Sequence, residues 1–249
     1  MTFCLAMKLK DGIIGFADSR ITTGVECIIA RKVTVFEHEN HSMFMMTSGL
    51  RAARDKALTY FSEIMEEMDH TFDKLYKAVN EFAQQIRRVQ FEDRKGLEES
   101  GLHFNLHCII GGQLERDETP KLYLLYPQGN WVEVSEGTPY YIIGESSYGK
   151  PLLDRALNFD TDLETALKIG YLAFNATMTS ATDVGFPLDI VVYPANSYKM
   201  IQQQFVKEDF KKVDKWWMER IRKSVKEVPN DWSSSLTDQI KLLRESVSP

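Results

Sequence analysis

The chain has 249 residues, 43% of them hydrophobic and 27% charged, with a formal net charge of −6. That apolar fraction with so small a net charge excludes a disordered chain, and this length buries enough surface to need no disulfide or metal staple. The acidic balance excludes a broad basic field for nucleic acid, no apolar run approaches the roughly 20 residues of a membrane helix, and the N-terminus lacks the basic start and apolar core of a secretory signal. Cys4, Cys27 and Cys108 make an odd count without CxxC spacing, which argues against a disulfide framework and a structural zinc site. The expectation is a soluble protein of a reducing compartment, the cytoplasm.

Residues 2–10 alternate, with Phe3, Leu5, Met7 and Leu9 on one face and Cys4, Ala6, Lys8 and Lys10 on the other. Period two predicts a strand. Asp11-Gly12 is a favoured type I′ turn pair, and the apolar run Ile13–Ala17 follows, so the first twenty residues read as a β-hairpin. After a connection over 21–30, strands are predicted at Lys32–Phe36 and Ser42–Thr47. The period then lengthens to 3.6. Leu50, Ala53, Ala57, Phe61, Ile64 and Met68 form one helical stripe, and Leu75, Val79, Phe82, Ile86 and Val89 form a second.

Strand-like runs recur at Phe104–Ile110, Lys121–Tyr126, Tyr140–Ile143 and Leu188–Tyr193. Thr161-x-x-Glu164 reads as a capping box for a helix carrying Leu163, Leu167, Tyr171, Phe174 and Met178. Phe210, Val213, Trp217, Ile221 and Val225 predict an amphipathic helix near the C-terminus, and Leu236–Leu243 a short one. Strands, two helices, strands, helices, strands and helix in that order give an α+β fold with helices on both faces of stacked antiparallel sheets. With no linker, repeat or low-complexity tract, 1–249 reads as one domain, with a core of about 2–205 and a C-terminal helical extension of about 206–249.

Three local patterns carry little. Gly144 to Lys150 fits GxxxxGK, but Pro151 stands where the phosphate loop needs a hydroxyl for Mg²⁺, so a glycine-bounded turn is the reading. His103 and His107 lie on a strand without a third ligand at clear spacing. Basic residues around Trp216-Trp217 are balanced by Asp209, Asp214 and Glu219, so that helix reads as a packing or subunit-contacting element.

The beginning of the chain is different. With Met1 removed, Thr2 carries both a hydroxyl and a free α-amine whose intrinsic pKa is about 7.7–8.0, close enough to neutrality to act as a base. A hydroxyl beside such a base is an activated nucleophile. The hairpin returns Asp18 to the neighbourhood of Thr2, and the next strand starts at Lys32. An ammonium there would keep the amine neutral, and Asp18 would keep Lys32 charged and oriented.

The segment Thr2…Gly12…Ala17-Asp18-Ser19-Arg20…Gly24…Lys32-Val33, followed by Met46-Thr47-Ser48-Gly49, resembles the N-terminal half of a proteasome β-subunit, an N-terminal-nucleophile hydrolase. Ile143-Gly144-Glu145-Ser146 with Leu153-Asp154, and Gly185-Phe186-Pro187-Leu188-Asp189-Ile190-Val191-Val192, extend the resemblance over roughly 2–205. Thr2 directly follows Met1, so removal of that methionine alone is expected to expose it, the Lys32 spacing is short, and the C-terminal extension is Trp-rich. In these features the chain is similar to the bacterial Anbu family of ancestral β-type proteins.

The resemblance implies a four-layer αββα sandwich. It implies Thr2 as nucleophile, Asp18 as orienting carboxylate and Lys32 as the cation that lowers the amine's pKa. Ser48-Gly49 would offer a backbone N–H to an oxyanion, and Ser146, or Glu145 if the alignment shifts by one, would support the site. The family's Asp-x-x-Ser-Gly becomes Ala181-Thr182-Asp183-Val184-Gly185, where Thr182 or Asp183 would substitute. Arg20, Ile21, Arg31 and Met46 would line the substrate pocket. No metal or organic cofactor is implied. The partners expected are a peptide or unfolded-protein substrate and further copies of the chain, in a closed or helically open ring of roughly a dozen. A scaffold with weak or absent catalysis and a small-molecule amidase remain as alternatives.

Overall fold

A computed structural model describes residues 2–23, 26–68 and 71–247, of which 21–23, 26–27, 68 and 245–247 are described by their backbone alone. Met1 and Gly24 lie outside the described residues. The chain divides into two compact units, Met1–Val206 and Lys207–Pro249.

The first unit opens with the hairpin β1 (Phe3–Leu9) and β2 (Gly12–Asp18), in register Cys4↔Ala17 through Leu9↔Gly12. The expected connection over 21–30 is instead a two-stranded ribbon, β3 (Arg20–Thr23) with β4 (Glu26–Ile29). Then come β5 (Val33–His38), β6 (His41–Gly49), α1 (Arg51–Met68) and α2 (Leu75–Glu99). β7 (Leu106–Gln113), β8 (Lys121–Leu125) and β9 (Trp131–Glu133) complete one sheet in the order β5-β6-β7-β8-β9. β10 (Tyr140–Gly144), α3 (Lys150–Ala156), α4 (Leu163–Ser180), β11 (Leu188–Pro194) and β12 (Ile201–Phe205) follow, and the other sheet runs β10-β1-β2-β11-β12. All its neighbours pair antiparallel.

Alternation decides the layers. Cys4, Ala6, Ala17 and Val191 from one sheet meet Phe44, Met46, Ile109 and Leu124 from the other in a single apolar cluster. The opposite face of the second sheet packs on α1 and α2, where Ala57, Phe61, Val79, Phe82 and Ile86 are buried with Cys108 and Ile110. Phe61 sits edge-on to both Phe36 and Phe82, at 5.4 and 5.3 Å between ring centroids. On the far side, Phe3 of β1 packs on Phe174 of α4. Helices, sheet, sheet, helices is the αββα sandwich. Each large side chain sealed in this way contributes about 1.5–3 kcal/mol.

Two helix starts differ from expectation. Asp162, not Thr161, caps α4 by accepting from Thr165 N at 2.8 Å, while Thr161 Oγ1 accepts from Asn158 N one turn earlier. The GxxxxGK stretch is the turn into α3, with Pro151 in the first helical turn, where its missing N–H costs nothing.

The second unit contains a short 3₁₀ turn at Lys207–Phe210, α5 (Lys211–Lys226) and α6 (Ser234–Val247). α6 is longer than the span predicted. Within α5 the Trp216 and Trp217 rings stack, with Arg220 over Trp216.

Candidate active site

The hairpin brings the start of β1 and the end of β2 to one place, and Asp18 closes it. Its Oδ1 accepts the Phe3 N–H at 2.7 Å and the Lys32 ammonium at 2.7 Å. Both side chains are sealed from water, Lys32 at 3% exposure and Asp18 at 0%. A second bond from Lys32 Nζ to the Arg20 carbonyl, at 2.8 Å, fixes the ammonium. The peptide that follows Thr2 and the ammonium of Lys32 therefore share one carboxylate oxygen, so three of the predicted site residues meet.

Burial raises the Asp18 carboxyl above its ordinary value; the Lys32 ammonium and the Phe3 N–H pull it back only in part. Asp18 Oδ2 has no hydrogen-bond partner among the described residues. Cys4, two residues beyond Thr2, donates from Sγ to Thr47 O at 3.9 Å and ties β1 to β6 across the sandwich. Burial pushes its thiol up, so it stays neutral and is not a rival nucleophile.

Two glycines shape the backbone around Thr2. Gly144, at φ +88°, lies against the threonine: a Cβ there would overlap the Thr2 carbonyl oxygen and come within 3.1 Å of Thr2 Cβ. That carbonyl accepts Glu145 N at 2.7 Å. Gly49, at φ +132°, is the last residue of β6; a Cβ would overlap Asn105 O, which already accepts Leu50 N at 2.7 Å. Only glycine takes both positions without strain. Thr47 N donates to Lys32 O at 3.3 Å, so the strand that ends in Ser48-Gly49 is bonded directly to the lysine's own peptide.

The remaining predicted residues are spread around this centre. Ser146 is half-buried two residues past Gly144 and lines a cleft of about 260 Å³ with Thr138, Tyr140, Tyr141, Ile142 and Lys150. Asp183 is half-buried in the turn after α4, and Gly185 beyond it abuts the Arg20 side chain. Arg31 is 64% exposed, with Nε 3.7 Å from Asp189 Oδ1. Met46 is fully buried in the inter-sheet core. Ile21 pairs with Ile28 in the ribbon, and its side chain is outside the described residues. His107 Nδ1 lies 3.0 Å from Asn105 Oδ1, and the described residues hold no group of three or more metal-ligating side chains.

Sequence reasoning passed over two features. The contact of Gly144 with Thr2 joins residues distant in sequence. Asp189 is the other, and a carboxylate inside the apolar run Leu188–Val192 was the available signal.

Known proteins share this fold. The family model described as proteasome subunit matches residues 2–193. The proteasome subunit beta 1 of Pyrobaculum aerophilum is 22% identical over 193 residues, 77% of this chain and 89% of that protein. Anbu (ancestral beta-subunit) from Yersinia bercovieri superposes with a TM-score of 0.83 at 28% identity, covering 91% of this chain and 97% of that one. The Anbu complex from Pseudomonas aeruginosa, solved as a helical assembly, gives 0.85 at 29% identity over 91% and 97%. The chain belongs to the proteasome subunit family, with a β-subunit-type N-terminal-nucleophile fold shared with the Anbu proteins.

Proposed function

We propose that this protein is a threonine-type peptidase whose nucleophile is Thr2, exposed by removal of Met1, and that it works within a homo-oligomer of roughly a dozen copies. The observation that carries the reading is the buried Lys32–Asp18 pair bonded to the peptide next to Thr2. An ammonium held beside the threonine lowers the pKa of its α-amine and keeps that amine a base at neutral pH.

In the proposed reaction the amine, through a water, takes the proton of Thr2 Oγ as this oxygen attacks a peptide carbonyl. The Ser48-Gly49 backbone offers N–H groups to the oxyanion. The protonated Thr2 amine gives that proton to the leaving nitrogen as the tetrahedral intermediate collapses, which expels the amine product and leaves an ester on Thr2 that water hydrolyses. The steps need no metal or organic cofactor. The proposed substrate is a peptide or unfolded protein, with Arg20 and Arg31 assigned to the pocket for its P1 residue. Self-assembly is supported by the helical assembly of the Pseudomonas aeruginosa relative. The described helices include none long and apolar enough to cross a membrane. A cytoplasmic setting is proposed from the three cysteines, which follow no disulfide pattern.

A scaffold with little turnover is the second reading. It is favoured by one feature, the replacement of the family's supporting Asp-x-x-Ser by Ala181 to Val184. One experiment separates the two: hydrolysis of a peptide library by the processed chain, by Thr2→Ala, and by a form that retains Met1. Both altered forms should lose activity by several orders of magnitude while remaining folded and assembled, because one lacks the acyl acceptor and the other converts the base into an amide. Hydrolysis at an equal rate by the Met1-retaining form would exclude the mechanism.

A further inference from the structure

A buried carboxylate in a strand of Leu, Ile and Val costs several kcal/mol unless something holds its charge in place. Asp189 of β11 is such a group, only 6% exposed. Its Oδ2 accepts the Ser19 hydroxyl, and its Oδ1 accepts Gln204 Nε2 at 2.9 Å and lies 3.7 Å from Arg31 Nε. Ser19 is the residue after Asp18, and Arg31 is the residue before Lys32. One carboxylate thus grips the sequence neighbours of both members of the buried ion pair.

The grip on Ser19 is complete. Ser19 is fully buried, its N–H donates to Pro187 O at 2.8 Å, its carbonyl accepts Ala30 N at 2.9 Å, and its hydroxyl goes to Asp189. Strand pairing adds Leu188↔Asp18 and Asp189↔Ala17. The segments 18–20 and 30–32 are joined by Ala30 N to Ser19 O and by Lys32 Nζ to Arg20 O, and Asp189 clamps the outside of that junction.

We propose that Asp189 is a positioning residue of the active site, holding Asp18 and Lys32 in register through Ser19 and Arg31 so that the ammonium stays beside the Thr2 amine. This rests on the peptidase reading above, but its test does not depend on turnover. Among the described residues, the charged groups around the centre include Asp18, Lys32, Arg20, Arg31, Asp183, Asp189, Glu145, and Arg54, whose guanidinium donates to Arg31 O at 3.3 Å.

The experiment measures the pKa of the Thr2 amine in the processed, assembled protein from the pH dependence of its carbamylation by cyanate, for wild type, Asp189→Asn and Ser19→Ala. If Asp189 positions the lysine, both substitutions let the ammonium drift, and the amine's pKa moves upward by half a unit or more, toward the intrinsic value of about 8. Loss of a negative charge acting only through space would move it downward, and a purely structural role would leave it unmoved while lowering stability. A pKa unchanged or lowered in the folded variants therefore overturns the proposal. Ser19→Ala keeps the test decisive should Asp189→Asn not fold. Lys32→Met is the control: with no rise there, and hydrolysis surviving Thr2→Ala, the peptidase reading itself fails.

Discussion

Lys32→Met probes how much the fold depends on the site's electrostatics. The pair spans 2.7 Å with both side chains almost wholly buried. At an effective dielectric of about 20, charges 2.7 Å apart attract by about 6 kcal/mol before desolvation is counted. Methionine replaces the lysine stem at similar volume but leaves the buried Asp18 carboxyl without its counter-charge, and removal of one partner from a buried pair costs about 3–5 kcal/mol. Asp18→Asn in the same chain removes the remaining charge while its Oδ1 still accepts the Phe3 N–H. The double variant should therefore recover about 2–3 kcal/mol relative to the sum of the single changes. The residual cost is the Arg20 carbonyl, which loses the Lys32 donor.

Urea unfolding at fixed protein concentration, followed by tryptophan fluorescence, reads these differences. The sign with pH is also determined. In Lys32→Met the folded-state pKa of Asp18 lies above its unfolded value near 3.8, so the folded state binds the proton more tightly. The deficit is full above the folded-state pKa and shrinks as pH falls through it. A loss below about 1 kcal/mol for Lys32→Met, or a double variant no better than the sum of the singles, would refute the reasoning.

Gly144→Ala places a methyl group on the Thr2 carbonyl and should cut hydrolysis by about a hundredfold, as expected for a displacement near 1 Å, while Gly101→Ala, at φ +68° in open space, leaves the rate alone; equal rates in peptide assays would refute the role of the close approach. In the wild type, burial holds the Asp18 carboxyl above its ordinary value, so an NMR titration of that carboxyl should have its midpoint above pH 3.8, and a midpoint at or below 3.8 contradicts it. If Arg20 and Arg31 flank the P1 residue as proposed, they should disfavour Lys and Arg at that position, and a library preference for basic P1 residues would reject both as pocket residues.

Much of this molecule is written in local pattern. Period two over Phe3–Leu9 specifies the first strand of the hairpin, because a strand with two environments must alternate, whereas the turn falls on Lys10-Asp11 between the paired Leu9 and Gly12, one residue earlier than the Asp11-Gly12 expected. The stripes of α1 and α2 are equally legible, since a helix covering a sheet must repeat its apolar face every three or four residues. Thr2, Asp18 and Lys32 could be singled out because the hairpin and the following strand lie close in sequence, so their meeting needs little long-range information.

The rest required the tertiary structure. β12 reads Ile-Gln-Gln-Gln-Phe, too polar to signal a strand, and becomes one because β11 offers it a free edge. The ribbon β3–β4 has four residues a side and no alternation strong enough to separate it from a loop. Asp162 displaces Thr161 as the cap of α4 because Thr161 Oγ1 is engaged with the turn at Asn158. Met46, expected at the pocket, is sealed in the core once two sheets stack on its face. Gly144 meets Thr2, and Asp189 reaches Ser19 across 170 residues, only after β10 and β11 have joined the hairpin from either side. Local spacing carries what neighbours along the chain must do, whereas which distant carboxylate or glycine completes the site is decided by strand order, and strand order is settled by packing the whole sandwich.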